Sequence, residues 1–211
     1  MKIRNRCIII PSRGSDGKIV FKIVYWGPSL GGKTTAVSWM FNKEGMAEGK
    51  MQSIVDPTGR TLFFDRTVIG VAGVKMQVYT VAGQRRHKFQ RKTILNGVDG
   101  IIFVWDAQKE QWKENVWSME ELIEHLGKKL GKKIPIIVML NKMDLPNIID
   151  HNKLLEFLKE KDLDTVLNAH GIEMPIQIYE TVAIEGQNIR RSFQQVCREA
   201  VLQYYMKIKK K

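Results

Sequence analysis

Residues 27–34 read GPSLGGKT, and this stretch restricts the fold of the chain more than any other. The pattern G-x-x-x-x-G-K-[ST] makes a phosphate loop only where a strand leads into it and a helix leaves it. Both flanks qualify. KIVFKIVYW (18–26) is β-branched and aromatic, and a helical pattern follows over 33–42. Gly27, Ser29, Leu30, Gly31 and Gly32 form a winding that turns consecutive N–H groups toward a β-phosphate at a helix N-terminus. Lys33 reaches the β- and γ-phosphates, the Thr34 hydroxyl ligates Mg²⁺, and Thr35 follows in the same turn. Position, spacing and lysine agree, so the expected ligand is a nucleoside triphosphate.

A phosphate loop of this kind sits in an α/β sheet, and the rest of the chain supplies one. Strand-like runs occupy 61–69, 74–81, 100–106, 134–141 and 176–182, and helical periodicity occupies 110–130, 151–168 and 186–206. The runs at 100–106 and 134–141 are almost wholly apolar, as strands covered on both faces are. The link GVAG (70–73) joins its two strands as a hairpin. The expected architecture is therefore three-layered α/β, with a mostly parallel six-stranded sheet, one antiparallel edge strand and helices on both faces. Residues 1–17 form an N-terminal extension that can add an edge strand through Cys7–Ile10, 18–206 the single domain, and 207–211 a basic tail. Residues 44–60 show no period, and a loop of that length is usually functional or disordered.

NKMD (141–144) follows the fifth apolar run, at the strand edge where open α/β sheets bind ligands. An Asp144 carboxylate accepts from guanine N1–H and its exocyclic amine, whereas adenine presents a lone pair there. A buried acceptor left unpaired makes such discrimination about 10⁴-fold or more. Asn141 is expected to brace the loops and the Lys142 stem to cover the base plane. Backbone N–H groups of Val182 and Ala183, in the run TVA, are candidates for guanine O6.

With 34 Lys and Arg against 22 Asp and Glu, the formal charge is +12, concentrated in Lys128, Lys129, Lys132, Lys133 and the tail KIKKK. A solvated basic face, peripheral contact with an anionic membrane through the tail, and nucleic acid are the three readings. No nucleic-acid motif accompanies the charge. The sequence shows no signal peptide, no apolar run long enough to span a bilayer, no myristoylation glycine and no prenylation cysteine. Cys7 and Cys197 are far apart without metal-ligand spacing and read as free thiols in a reducing cytoplasm.

Together these residues resemble a Ras-superfamily small GTPase over about residues 18–206. GPSLGGKTT, RTLFFD (60–65), TVAGQ (80–84), NGVDGIIFV (96–104) and NKMDLP (141–146) look like the prokaryotic MglA-like group. The resemblance implies a G domain, a GTP/GDP molecular switch that hydrolyses GTP with Mg²⁺, and a role in cell polarity, motility or intracellular organisation. It further implies that Thr61 contacts Mg²⁺ and the γ-phosphate and that Gly83 offers its N–H to that phosphate. Gln84 would orient the attacking water, and Arg60 would act as an internal arginine finger. A roadblock-domain (MglB-like) activator and an unidentified effector are the implied partners. Arf-like trafficking GTPases are the alternative relatives, but they keep an aspartate where this chain has Thr80 and often carry an acylated N-terminal glycine. A GTP-binding scaffold that does not hydrolyse, and a P-loop kinase or ATPase, are the competing functions; NKMD argues against the last.

The threonine raises the question of what replaces the missing outer-sphere carboxylate. With Val71 and Ala72 as the hairpin turn, Asp65 and Thr80 become diagonal neighbours on one face, roughly 7–8 Å apart. Asp65 then serves the metal through a water, or it is an edge-strand charge that discourages aggregation. Ser29 stands where these proteins usually have glycine, which leaves binding intact and mildly crowds the path of a catalytic arginine. Trp105, Trp112 and Trp117 are read as helix–strand packing, with a partner surface as the alternative.

Overall fold

The computed structural model describes residues 12–13, 19–43, 64–71 and 74–209. Strands β1 (Ser12–Arg13), β2 (Ile19–Trp26), β3 (Phe64–Val71), β4 (Val74–Val81), β5 (Gly100–Asp106), β6 (Ile136–Asn141) and β9 (Ile178–Thr181) share one sheet. The order along it is β3-β4-β2-β5-β6-β9, with β1 pairing β2 outside that path. The β2–β4, β2–β5, β5–β6 and β6–β9 pairs are parallel, and edge strand β3 is antiparallel to β4. The six strands of that path are the sheet expected, with one antiparallel edge, and β1 makes the whole seven-stranded. β1 adds two antiparallel pairs, Ser12 with Val20 and Arg13 with Ile19, while Cys7–Ile10 lie outside the described residues.

Strand alternation sorts the core into two layers. Phe21, Ile23 and Tyr25 of β2, with Ile102 and Val104 of β5, pack against helices α1 (Lys33–Lys43) and α5 (Ile189–Lys209). Val24, Trp26, Ile101, Phe103 and Trp105 turn the other way, under α2 (Lys88–Ile94), α3 (Trp112–Leu126) and α4 (His151–Glu160). Trp105 is fully buried, with its ring 5.3 Å from Trp112 and 5.4 Å from Phe157, so these aromatics are core. Cys197 is a free, buried thiol whose titration burial pushes well up.

Three local features differ from expectation. The helix expected over 151–168 stops at Glu160, because Asp162 takes a left-handed φ of 54°. The Leu163 N–H then reaches Leu158 O at 2.8 Å and the Asp162 N–H reaches Lys159 O at 3.1 Å, a Schellman closure. The chain continues into a small antiparallel sheet of β7 (Thr165–Leu167) and β8 (Glu173–Pro175). Finally, Val71 pairs with Val74 and Asp65 with Thr80, so the pairing of β3 with β4 is centred one residue later than expected. The pairing sum moves by two, so residue 65 stays on the Thr80 face but becomes its direct partner. Such Cα atoms are about 4.5–5.5 Å apart.

Candidate functional site

All five parallel strands deliver their C-terminal ends to one edge of the sheet. β2 ends at Trp26 and runs into the glycine loop, where Gly27 has φ 141° and Gly32 φ 100°. A Cβ on Gly27 would lie 2.2 Å from Val104 O, and one on Gly32 would lie 2.2 Å from Asn141 Nδ2. Neither position admits a side chain, which is why the motif demands glycine there. Leu30, at the exposed tip, also has a left-handed φ of 60°. α1 begins at Lys33, and its first turn is tied to the loop by the Ala36 N–H to Gly32 O bond of 2.9 Å. The Lys33 ammonium is buried inside the winding and donates to Pro28 O at 2.6 Å and Gly27 O at 3.1 Å. A cation so placed faces whatever anion the loop N–H groups hold. Thr34 follows in the same turn and Thr35 is exposed.

Asn141, at the end of β6, holds two loops together. Its Nδ2 donates to Gly31 O at 2.8 Å, while its Oδ1 accepts from the Ala183 N–H at 3.0 Å and the Thr181 hydroxyl at 3.1 Å. It is 1% exposed, so each bond lies in a low-dielectric setting where it is costly to lose. The brace expected from the sequence is therefore present. Lys142 has a left-handed φ of 68°, and its ammonium pairs with Asp106 Oδ2 at 2.5 Å. Asp144 is exposed at the rim, while Val182 and Ala183 are buried beside it. Gly186 shapes the far side of this loop, since a Cβ there would lie 1.8 Å from the Trp39 ring.

The loop expected from the sequence to meet the γ-phosphate leaves β4. Thr80 is buried and pairs with Tyr25 of β2 and Asp65 of β3, on the face that carries α1. A Cβ on Gly83 would lie 2.2 Å from Ser29 N, so the two loops touch at this glycine. Gln84 follows, half-buried and extended, with φ −70° and ψ 139°. Arg60 and Thr61 lie outside the described residues. Among the described side chains here, the Thr34 hydroxyl is a hard oxygen donor of the kind Mg²⁺ takes, while Asp65 is placed by strand register alone. Among the described residues no group of three His, Cys, Asp or Glu side chains forms a competing metal site.

Two parts of this region escaped the sequence reading. Asp106 closes β5 at 1% exposure, accepts from the Gln108 N–H at 3.1 Å and anchors Lys142. Its backbone is clasped by buried Asn115, whose Oδ1 accepts from the Asp106 N–H at 2.9 Å and whose Nδ2 donates to Asp106 O at 2.8 Å. The available signal was a lone carboxylate ending an apolar strand. Arg91 of α2, 2% exposed, donates to Ala82 O at 2.8 Å and Gln84 O at 2.5 Å. It forks onto Glu121 of α3 at 2.9–3.2 Å, with Trp26 and Trp117 stacked 5.9 and 5.2 Å away. Nearby, burial and then the Arg86 and Arg91 charges hold the His87 imidazole below its usual range, and the Arg86 Nε–H donates to its Nε2 at 3.1 Å.

Comparison with known proteins agrees with this geometry. The sequence model described as "Arf: ADP-ribosylation factor family" matches residues 13–200. The chain is 37% identical over 157 residues to the mutual gliding-motility protein MglA of Myxococcus xanthus, covering 71% of this chain and 80% of that protein. It is 31% identical over 186 residues to the Ras-related protein RABA2d of Arabidopsis thaliana, covering 87% and 76%. The solved structure of the Arl6 BBS3 small GTPase from Trypanosoma brucei superposes with a TM-score of 0.65 at 19% identity, over 87% of this chain and 99% of that one, a likeness of fold. The chain belongs to the ADP-ribosylation factor family within the Ras superfamily of small GTPases.

Proposed function

We propose that the protein is a GTP/GDP switch that hydrolyses GTP to GDP and phosphate with Mg²⁺, acting in cell polarity, motility or intracellular organisation. The observation that carries this reading is the joint made by Asn141 between the phosphate loop and the base loop. On this reading it would hold a triphosphate end and a guanine end at one spacing. Lys33 and the loop N–H groups would hold the β- and γ-phosphates, and Thr34, Thr61 and the Asp65 position would hold Mg²⁺, which supplies charge neutralisation when bound. Gln84 orients a water in line with the γ-phosphorus. The water oxygen bonds to phosphorus and its proton passes to an oxygen of the departing phosphate, while the bond to the β–γ bridging oxygen breaks and that oxygen leaves with GDP. Arg60 stabilises the charge on the transferring group, a role worth roughly 10³–10⁵ in rate. Asp144 selects guanine, and Val182 and Ala183 line the O6 side.

Similarity to the mutual gliding-motility protein supports the polarity and motility setting, and an activator of the roadblock-domain type fits a chain that carries its own arginine. The protein is read as cytoplasmic, with the basic tail available for peripheral contact with anionic membrane. The test is single-turnover release of phosphate from preloaded GTP. Gln84→Leu and Arg60→Ala should each slow release at least 100-fold in order of magnitude, with GTP affinity within about threefold of the unsubstituted chain. Absence of release from the unsubstituted chain, alone and with an activator, would leave a GTP-binding scaffold. Parallel losses of affinity would make the two residues binding groups instead.

A further inference from the structure

The lysines of residues 128–133 are presented at the end of the sheet opposite the nucleotide loops, ahead of the first residue of β6. Their turn is closed by its own backbone hydrogen bonds. The Lys133 and Ile134 N–H groups both reach Lys129 O, at 2.8 and 2.9 Å, and the Gly131 N–H reaches Ile134 O at 2.9 Å. Gly131 has φ 70°, and a Cβ there would lie 3.2 Å from Val166. The Leu167 N–H then donates to Gly131 O at 2.7 Å, which fixes β7 to the turn. Gln203 of α5, 7% exposed, donates to Leu167 O at 3.4 Å, which joins the helix to β7.

These three elements enclose a shallow cleft of about 140 Å³. Lys132, Lys133 and Lys207 line it, with Asn168, Gly171 and Gln203 between them and no carboxylate. None of Lys128, Lys129, Lys132 and Lys133 has an ion-pair partner among the described residues. Lys207 feels Asp99, but that carboxylate accepts from the Lys22 N–H at 2.8 Å and lies outside the lining. Asn168 gives its side-chain oxygen to the His170 and Ile172 N–H groups, both at 3.0 Å, so the group it has left is a donor. The polar groups of the lining are thus ammoniums and an amide NH₂, set beside the apolar side chains of Leu167, Ala169 and Met206. Holding like charges together on a hydrogen-bonded frame costs stability unless an anion offsets it. The volume is below the roughly 300 Å³ at which sites for drug-sized ligands begin, so it suits a single charged group.

We propose that this cleft binds a phosphate group, carried by a lipid headgroup or by a small soluble phosphate, while the nucleotide loops face the other way. The inference is independent of hydrolysis. The full chain is first saturated with GDP and Mg²⁺, which fills the phosphate loop. Flotation with phosphatidylglycerol-containing vesicles and with pure phosphatidylcholine vesicles tests the lipid source; a thermal shift with millimolar pyrophosphate tests the soluble one. In whichever arm responds, Lys132→Ala/Lys133→Ala/Lys207→Ala should lose binding by roughly 100-fold, about fivefold per lysine. The same variant should melt no lower than the unsubstituted chain without ligand, which a merely structural role for these lysines would not allow. Lys209→Ala/Lys210→Ala/Lys211→Ala should keep most of the binding. Loss in the tail variant with retention in the cleft variant would overturn the proposal, as would no response to either probe.

Discussion

Replacing Glu121 by glutamine keeps the shape of the side chain but removes the charge that neutralises Arg91. Both side chains are essentially inaccessible, at 3% and 2% exposure. Arg91 cannot lose its proton in compensation, since a guanidinium stays charged. An uncompensated buried partner of this kind costs about 3–5 kcal/mol, and the amide oxygen still accepts one bond, so the lower end applies. An unfolding entropy of about 2.1 cal/mol/K per residue gives roughly 0.44 kcal/mol/K for a chain of 211 residues. Glu121→Gln should therefore lower Tm by about 7 °C in calorimetry of the GDP-bound protein. The loss should also be local. Arg91 fastens the carbonyls of Ala82 and Gln84, so amide exchange should accelerate at 82–87 before the β5–β6 core. A double-mutant cycle with Arg91→Met should return a coupling of about 2 kcal/mol. A Tm within about 2 °C of the unsubstituted chain, with protection at 82–87 unchanged, would refute the reasoning that this pair holds the loop.

Asp99 gives a pH signature. Burial pushes its carboxyl up to about 6, against the Lys22 amide and the Lys207 and Lys22 charges. The folded chain then binds more protons than the unfolded one between about pH 3.9 and 6, so this group's share of stability falls as pH rises through that window, by up to about 3 kcal/mol, and is flat above it. Chemical denaturation of Asp99→Asn should show that slope removed and higher stability at pH 7. Gly32→Ala drives a methyl into the Asn141 amide, so GDP affinity measured by fluorescent-nucleotide displacement should fall at least tenfold, with the free protein still folded by circular dichroism.

The fold was largely legible, because the features that encode it are strong and local. The all-apolar runs at β5 and β6 and the glycine spacing at 27–32 have few alternative uses in a soluble chain. What stayed hidden depended on geometry. Asp162 ends α4 in a position usually marked by glycine, and nothing in the letters separates it from a helical aspartate. The hairpin register turns on whether the bend starts at Val71 or Ala72, and only cross-strand packing decides that. Arg91 and Glu121 are 30 residues apart and read as ordinary surface charges until α2 and α3 bring them together. Ser29 and Gly83 likewise meet only in space.

Asn141 has a consequence for how a ligand leaves. The same amide that takes Gly31 on one side takes Ala183 on the other. A displacement of the 181–187 turn therefore pulls on the phosphate loop, and a displacement of that loop pulls on the turn. On the proposed function, release of a bound nucleotide would not need both ends to be prised open, and a partner that leaned on either end would work a lever whose fulcrum is one buried side chain.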